Sequence, residues 1–300
     1  MPELPEVQAL AEFLDTRAAG HAVAAADVAA IAALKTFDPP VSALVGRTVA
    51  GVTRHGKWID LVTVTDDGRT DDEVHLLFHL SRGGWARWSD QAPTTPVRPR
   101  MGGSSRGAAL ALRVRLDDGA GFDLTEAGTR KRLAVHVVRD PQEVEQVATL
   151  GVDPLSDDFT PDTLAALMRT RNQQVKGLLR DQRAIAGIGN AYSDEILHVA
   201  RTSPFKLTRS FTDDEVAALH DAIVATLRDA VAASSGKPAK ELKDAKRRGM
   251  RVHGRTGEAC PVCGDVVREV SFADRSLQYC ATCQTGGQVL ADRRMSRLLK

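Results

Sequence analysis

Four cysteines are the only ones in this 300-residue chain, and their spacing carries chemistry. Cys260, Cys263, Cys280 and Cys283 read C-x2-C-x16-C-x2-C. Two close pairs of this kind supply four thiolates to a tetrahedral zinc ion. Pro261 and Gly264 flank the first pair, and Gln284, Thr285 and Gly286 follow the second. The β-branched and aromatic run between the pairs suits a hairpin. A closed four-thiolate shell leaves no position for water, so this Zn2+ is expected to hold a fold and to perform no chemistry.

The second reactive candidate is Pro2, preceded only by Met1, whose cellular removal is expected before so small a residue. The freed nitrogen would be a secondary α-amine with a reference pKa of about 7.7–8.0, so a useful fraction is neutral. The helix dipole disfavours its protonated form, while Glu3 beside it pulls the other way. A neutral amine can attack a sugar carbon and form an iminium. Proline at a helix start is also an ordinary structural device, and the residue alone leaves both readings open.

The elements that position these groups are legible in outline. Leu4, Val7, Leu10, Ala11 and Leu14 form one stripe of a helix over Glu3–Arg17, stopped by Gly20. From His21 to about Val138 the texture is β: VAGVTRHGKWIDLVTV, EVHLLFHL, ALALRVRL, GFDLT and RLAVHVV are short runs between turn signals, a sandwich pattern. Ser89–Arg106, rich in Pro, Gly, Ser and Arg, is expected to be an exposed loop. Helices are expected over Pro161–Thr170, Gln173–Asp181, Asn190–Ala200 and Thr212–Ala233. Ser234–Gly249 reads as a basic, apolar-poor connection to the zinc hairpin. The fold class is therefore α+β in two domains, an N-terminal helix on an antiparallel β-sandwich and then a helical domain carrying the hairpin.

Composition excludes several classes. Hydrophobic content of 43% and charged content of 26% are globular values, which removes disordered and disulfide-scaffold readings. No apolar run approaches the roughly 18 residues that span a bilayer. Acidic Glu3, Glu6 and Glu12 do not make a signal peptide, so a cytoplasmic protein without a membrane partner is expected. The net charge of +1 hides an asymmetry: residues 235–300 hold 14 Lys+Arg against 7 Asp+Glu, leaving 26 against 32 for the rest. A +7 C-terminal segment fits a nucleic-acid footprint, and on charge alone it fits a solvated face equally well.

MPELPE at the N-terminus, RHGKW at 54–58, IAGIGNAYSDEIL at 185–197 and the hairpin with DRSLQYC occur in this order. In this combination the chain resembles the formamidopyrimidine-DNA glycosylase / endonuclease VIII family, from Pro2 to about Gln284. The resemblance implies a bifunctional glycosylase and abasic-site lyase of base-excision repair. Such an enzyme acts as a monomer on double-stranded DNA carrying an oxidised base or an abasic site. It implies a catalytic β-sandwich over 1–138, a helix–two-turn–helix DNA-binding domain over 139–245, the zinc finger over 246–286 and a tail over 287–300. Pro2 matches the nucleophile that forms the Schiff base, and Glu3 the carboxylate that handles protons. Glu6 matches a further carboxylate of the N-terminal helix. Lys57 matches a lysine credited with phosphate contact and a proton role in β-elimination. Asn190 matches the turn asparagine that grips phosphate, and Arg275 the zinc-finger arginine credited with phosphate contact and the second elimination.

Other residues support or depart from that pattern. Lys176, Arg180 and Arg183 supply positive charge near the GIGN turn, where Gly187 and Gly189 let the backbone approach a phosphate closely. HLSRGG at 79–84 puts Arg82 where many relatives have a methionine wedge, and EAGTRKRLA at 126–134 makes Arg130 and Arg132 candidates for the invading loop. These departures bear on which base is recognised more than on the reaction. A rival reading is a protein that binds damaged or abasic DNA without cutting it. Retention of Pro2, Glu3 and Lys57 together argues against that rival, because binding alone needs no N-terminal amine.

Overall fold

The computed structural model describes residues 1–65, 72–100, 109–272 and 276–291. Residues 273–275, and with them Arg275, lie outside the described residues, as do 292–300 of the C-terminal tail and part of the Ser89–Arg106 segment. The chain forms two compact units. One is Met1–Thr149 with Ser234–Lys243, the other Leu150–Ala233 with Asp244–Lys300. The first unit thus runs past the expected boundary at 138 and takes back a short later segment, because Ala239 and Leu242 are buried in its core.

In the first unit, helix α1 (Leu4–Ala18) precedes two four-stranded antiparallel sheets, and the short helix α2 (Glu145–Ala148) follows them. One sheet has the order β1 (Val23–Val28), β6 (Ala109–Leu116), β7 (Gly121–Glu126), β5 (Gly84–Ser89). The other has the order β2 (Thr48–His55), β3 (Trp58–Val64), β4 (Val74–His79), β8 (Ala134–Val138). Alternation decides which side chains enter the core: Ile59 and Leu61 of β3, Leu76 and Phe78 of β4, and Phe122 and Leu124 of β7 join Val7, Leu10 and Leu14 of α1 in one cluster. The Phe78 and Phe122 rings, one from each sheet, lie 6.1 Å apart. Strands β1 and β5 carry little of the expected β signal. VAAADV is alanine-rich and GWARWS opens on glycine, so pairing with β6 and β7 rather than local propensity makes them strands.

The opposite face of the second sheet is polar at its centre. Asp60, 2% exposed, receives His55 Nε2 at 3.0 Å and His75 Nδ1 at 3.0 Å. Burial alone would raise the Asp60 carboxyl, but the hydrogen bonds and charges of the two histidines outweigh it and hold the group below its ordinary value. Burial likewise pushes His75 down, and the hydrogen bond and charge of Asp60 overcome it and raise the imidazole.

The second unit is helical, with α3 (Pro161–Thr170), α4 (Val175–Arg180), α5 (Asn190–Val199) and α6 (Asp213–Ser234). Thr160 caps α3 by accepting from Thr163 N–H at 3.1 Å, and Pro161 sits where its missing N–H is no loss. The expected connection after Ser234 contains helix α7 (Leu242–Gly249), and hairpin β9 (Val267–Ser271) to β10 (Ser276–Cys280) leads into α8 (Ala281–Thr285). Among the described residues no helix is long and apolar enough to cross a membrane.

The Asp60 cluster generates a stability test. Asp60→Asn leaves buried His75 with only the partly exposed Glu73, 3.4 Å from its Nε2, as counter-charge, and is expected to cost about 2 kcal/mol at pH 6. Urea unfolding reads this directly, and a loss below about 0.5 kcal/mol would show that the pair is not ionised.

Candidate functional site

In the first unit the site begins at the end of α1. Pro2 and Glu3 are buried just before the helix. The Glu3 N–H donates to Glu6 Oε2 at 2.9 Å, so Glu6 fixes the backbone that carries Glu3 and Pro2. With Met1 attached, the Pro2 nitrogen is a tertiary amide with no lone pair to offer. Removal of Met1 creates the amine.

Lys57 sits in the two-residue turn between β2 and β3, with His55 paired to Trp58. Gly56 takes φ +56°, the positive value a tight hairpin turn needs at its first position. Lys57 is 8% exposed, unusually low for a lysine. Its charge acts on His79: burial, and then Lys57, depress that imidazole to about 4. The Ser81 N–H donates to His79 Nδ1 at 3.2 Å, which leaves Nε2 as the ring's hydrogen-bearing nitrogen. Ser81 takes φ +52°, a strained value for a non-glycine residue.

Arg82 is exposed in the turn after β4. Gly83 follows, and a Cβ there would stand 2.2 Å from the Ala127 carbonyl oxygen. Only glycine therefore lets the turn accept the Ala127 N–H on the Gly83 carbonyl at 2.9 Å. Buried Glu126 shapes the other side. One of its oxygens accepts the N–H of Arg132 at 2.6 Å and of Leu133 at 3.0 Å. The segments carrying Arg82, Arg130 and Arg132 are thus brought side by side, with all three residues exposed.

In the second unit the candidate residues gather around α5. Gln182 accepts the Gly187 N–H at 3.0 Å and donates to the Ile188 carbonyl at 2.7 Å, shaping the GIGN turn. Gly189 caps the helix, and Asn190 is its first residue. The Asn190 Nδ2 donates to the Ser276 carbonyl at 2.8 Å, beside position 275. Its Oδ1 is buried and has no hydrogen-bond partner among the described residues.

Lys176 corrects the sequence reading. It is 5% exposed, and its ammonium donates to Asp194 Oδ1 at 2.6 Å, Ser193 Oγ at 2.7 Å and the Asn190 carbonyl at 3.2 Å. Engaged by three oxygens inside the unit, it braces the first turn of α5 instead of reaching for phosphate. Asp194 also accepts from His253 Nδ1 at 2.7 Å. Sequence reasoning missed His79, the Asp60 cluster and the Asp194–His253 pair. An isolated aspartate in the strand run WIDLVTV, and histidines four apart on one face of β4, were the available signals.

The four cysteine sulfurs all lie within 4.8 Å of one another, with Cys260 to Cys283 at 3.9 Å and Cys263 to Cys280 at 3.3 Å. Four sulfurs around a zinc at about 2.3 Å would stand about 3.8 Å apart, so this donor set fits Zn2+ and holds a structural ion.

Two measurements follow from this geometry. Lys176→Met should lower stability by about 3 kcal/mol yet leave the slope of log affinity against log salt for DNA unchanged; a slope smaller by about one contact would return Lys176 to the DNA. His79 makes folding acid-sensitive. The unfolded imidazole takes its proton near 6.5 and the folded one only near 4, so the unfolded state binds more protons in that window. Stability therefore falls as pH drops from about 6.5 to 4, by up to about 3 kcal/mol. His79→Gln should remove that dependence, and an identical pH profile would show that another group carries it.

Known protein families match almost the whole chain. The Formamidopyrimidine-DNA glycosylase N-terminal domain matches residues 1–135, the Formamidopyrimidine-DNA glycosylase H2TH domain matches 150–240, and the zinc finger found in FPG and IleRS matches 257–286. A Mycobacterium tuberculosis protein described as an uncharacterized formamidopyrimidine-DNA glycosylase-like protein is 57% identical over 155 residues, 52% of this chain and 97% of that protein. The formamidopyrimidine-DNA glycosylase of Chloroflexus aggregans is 34% identical over 292 residues, 95% of this chain and 98% of that enzyme. The crystal structure of the Lactococcus lactis enzyme, non-covalently bound to DNA containing an AP site, superposes with a TM-score of 0.75 at 25% identity, covering 94% of this chain and 99% of that one. The chain belongs to the formamidopyrimidine-DNA glycosylase family.

Proposed function

We propose that this protein is a base-excision DNA glycosylase that also cleaves the strand at abasic sites, acting as a monomer on duplex DNA of the bacterial chromosome in the cytoplasm. The observation that carries the reading is the N-terminus. A proline whose nitrogen becomes a secondary amine on Met1 removal is buried beside a glutamate whose backbone Glu6 fixes. Family membership over nearly the whole chain supports the same chemistry.

In this reading the Pro2 nitrogen attacks C1′ of the damaged nucleotide. The bond from C1′ to the base breaks, its electrons leave with the base, and the base takes a proton. The C1′–O4′ bond then breaks, its electrons staying on O4′, which takes the amine's proton, and the nitrogen lone pair closes the iminium to C1′. Loss of a proton from C2′ then expels the 3′-phosphate, and elimination of the 5′-phosphate follows. Hydrolysis releases Pro2. Glu3 moves protons at the sugar and base, and Lys57 steadies a phosphate and serves the elimination. Asn190 and Arg275 hold phosphates, while Arg82, Arg130 and Arg132 meet the space left by the extruded nucleotide. No redox cofactor or nucleotide is required, and the zinc ion holds the finger that carries Arg275.

The test is borohydride trapping with protein whose N-terminus is verified as Pro2. Duplexes carrying an abasic site, an oxidised guanine or an oxidised pyrimidine are compared. A covalent adduct that disappears in Pro2→Gly, with DNA binding retained, is expected, and its distribution over the duplexes names the lesion class. Binding without an adduct on any duplex would instead leave a damage-recognition protein.

A further inference from the structure

Helix α5 meets the zinc hairpin at its last turn as well as its first. His198, 2% exposed, places its Nε2 3.3 Å from the Sγ of Cys260. We propose that His198 donates an N–H···S hydrogen bond to the Cys260 thiolate and is a positioning residue for the structural zinc site, joining the metal to the helix that begins at Asn190.

Electron bookkeeping fixes the ring's form. A thiolate that ligates zinc has lone pairs and no proton, so it can only accept, and Nε2 must carry the hydrogen. The Nδ1 is buried without a hydrogen-bond partner among the described residues. As a bare acceptor in the neutral imidazole it is a less costly orphan than a buried N–H would be.

The donor matters because four thiolates leave a zinc centre with two net negative charges, and while Cys263 is exposed to water, Cys260 and Cys280 are buried. A hydrogen bond to sulfur draws off part of that charge and fixes the direction of the lone pair that binds the metal. Cys260 is itself 3% exposed, so water does not readily supply the same bond. Three other ties bind α5 to this region, one of them the 2.7 Å bond from His253 Nδ1 to Asp194. Asn190 holds the Ser276 carbonyl, and the Glu195 carboxylate accepts the N–H groups of Arg251 at 2.7 Å, Val252 at 3.0 Å and His253 at 2.7 Å. Among the described residues His198 adds a tie that ends on a metal ligand, so zinc occupancy and the placement of α5 depend on each other.

The experiment uses full-length protein loaded with zinc or cobalt. His198→Phe keeps an aromatic ring and loses the donor, whereas His198→Gln returns an N–H donor to the place of Nε2. His198→Phe should weaken zinc binding about 10–100-fold and move the thiolate-to-cobalt charge-transfer band to lower energy, and His198→Gln should restore both. An unchanged cobalt band in His198→Phe, even with faster zinc loss, would assign the residue to packing and overturn the proposal. So would a His198→Gln variant as defective as His198→Phe. Should His198→Phe not fold, wild-type protein labelled with 15N and loaded with 113Cd decides. A scalar coupling between the His198 Nε2 hydrogen and cadmium through sulfur is expected, and a His198 Nε2 without a hydrogen overturns the assignment. Metal retention is read here without DNA, so this result stands apart from whether Pro2 performs the chemistry.

Discussion

Charge that is buried must be paired, and in the second unit that requirement organises nearly everything around α5. Asp194 and Glu195 are neighbours on one helix and are 1% and 3% exposed. Two adjacent carboxylates in an interior are tolerable only with a full set of donors. Asp194 takes Lys176 and His253, while Glu195 takes three consecutive backbone N–H groups at 251–253. Burial pushes the Glu195 carboxyl up, the three N–H groups pull it back only in part, and the neighbouring Asp194 raises it further. Each of these bonds also ties a distant stretch of chain to the helix. The GIGN turn, the segment entering the zinc finger and the hairpin itself are located by the same few residues.

The first unit uses the same physics on a sheet. Asp60 is a single carboxylate shared by two histidines next to the hairpin turn that carries Lys57. Glu126 is a single carboxylate shared by two backbone N–H groups of the loop that carries Arg130 and Arg132. In both cases a buried acceptor sets the path of a polar segment, which the apolar core between the sheets could not do because hydrophobic contact has no direction. The core supplies cohesion, and the buried carboxylates supply register. This division places the candidate site residues on short, braced turns rather than on long loops.

Lys57 and Lys176 show how environment separates two lysines of similar burial. Lys57 lies at a hairpin turn, where its charge is felt by His79. Lys176 points into its own unit and meets three oxygens. Counting basic residues near a motif treats the two alike. Only the direction of the side chain, set by the helix face on which Lys176 falls, separates an internal brace from a lysine at a turn.

Spacing alone determined the zinc site, because two C-x2-C pairs bring their own geometry and need little from the rest of the chain. Periodicity likewise determined α1 and the long helices: Pro161–Thr170 is observed with the expected bounds, and α5 starts at Asn190 as expected. The helix signal is local, and the caps that end it are local too. Strands β1 and β5 were not separately legible, since a strand of alanines or one opening on glycine exists only through its partners. The split of the first unit was also hidden, because Ala239 and Leu242 are unremarkable until a core more than a hundred residues upstream receives them. Above all, the sequence names Asp60, Glu126, Asp194 and Glu195 but not their donors. Those donors are backbone N–H groups and side chains far along the chain, and only tertiary structure brings them within hydrogen-bonding distance.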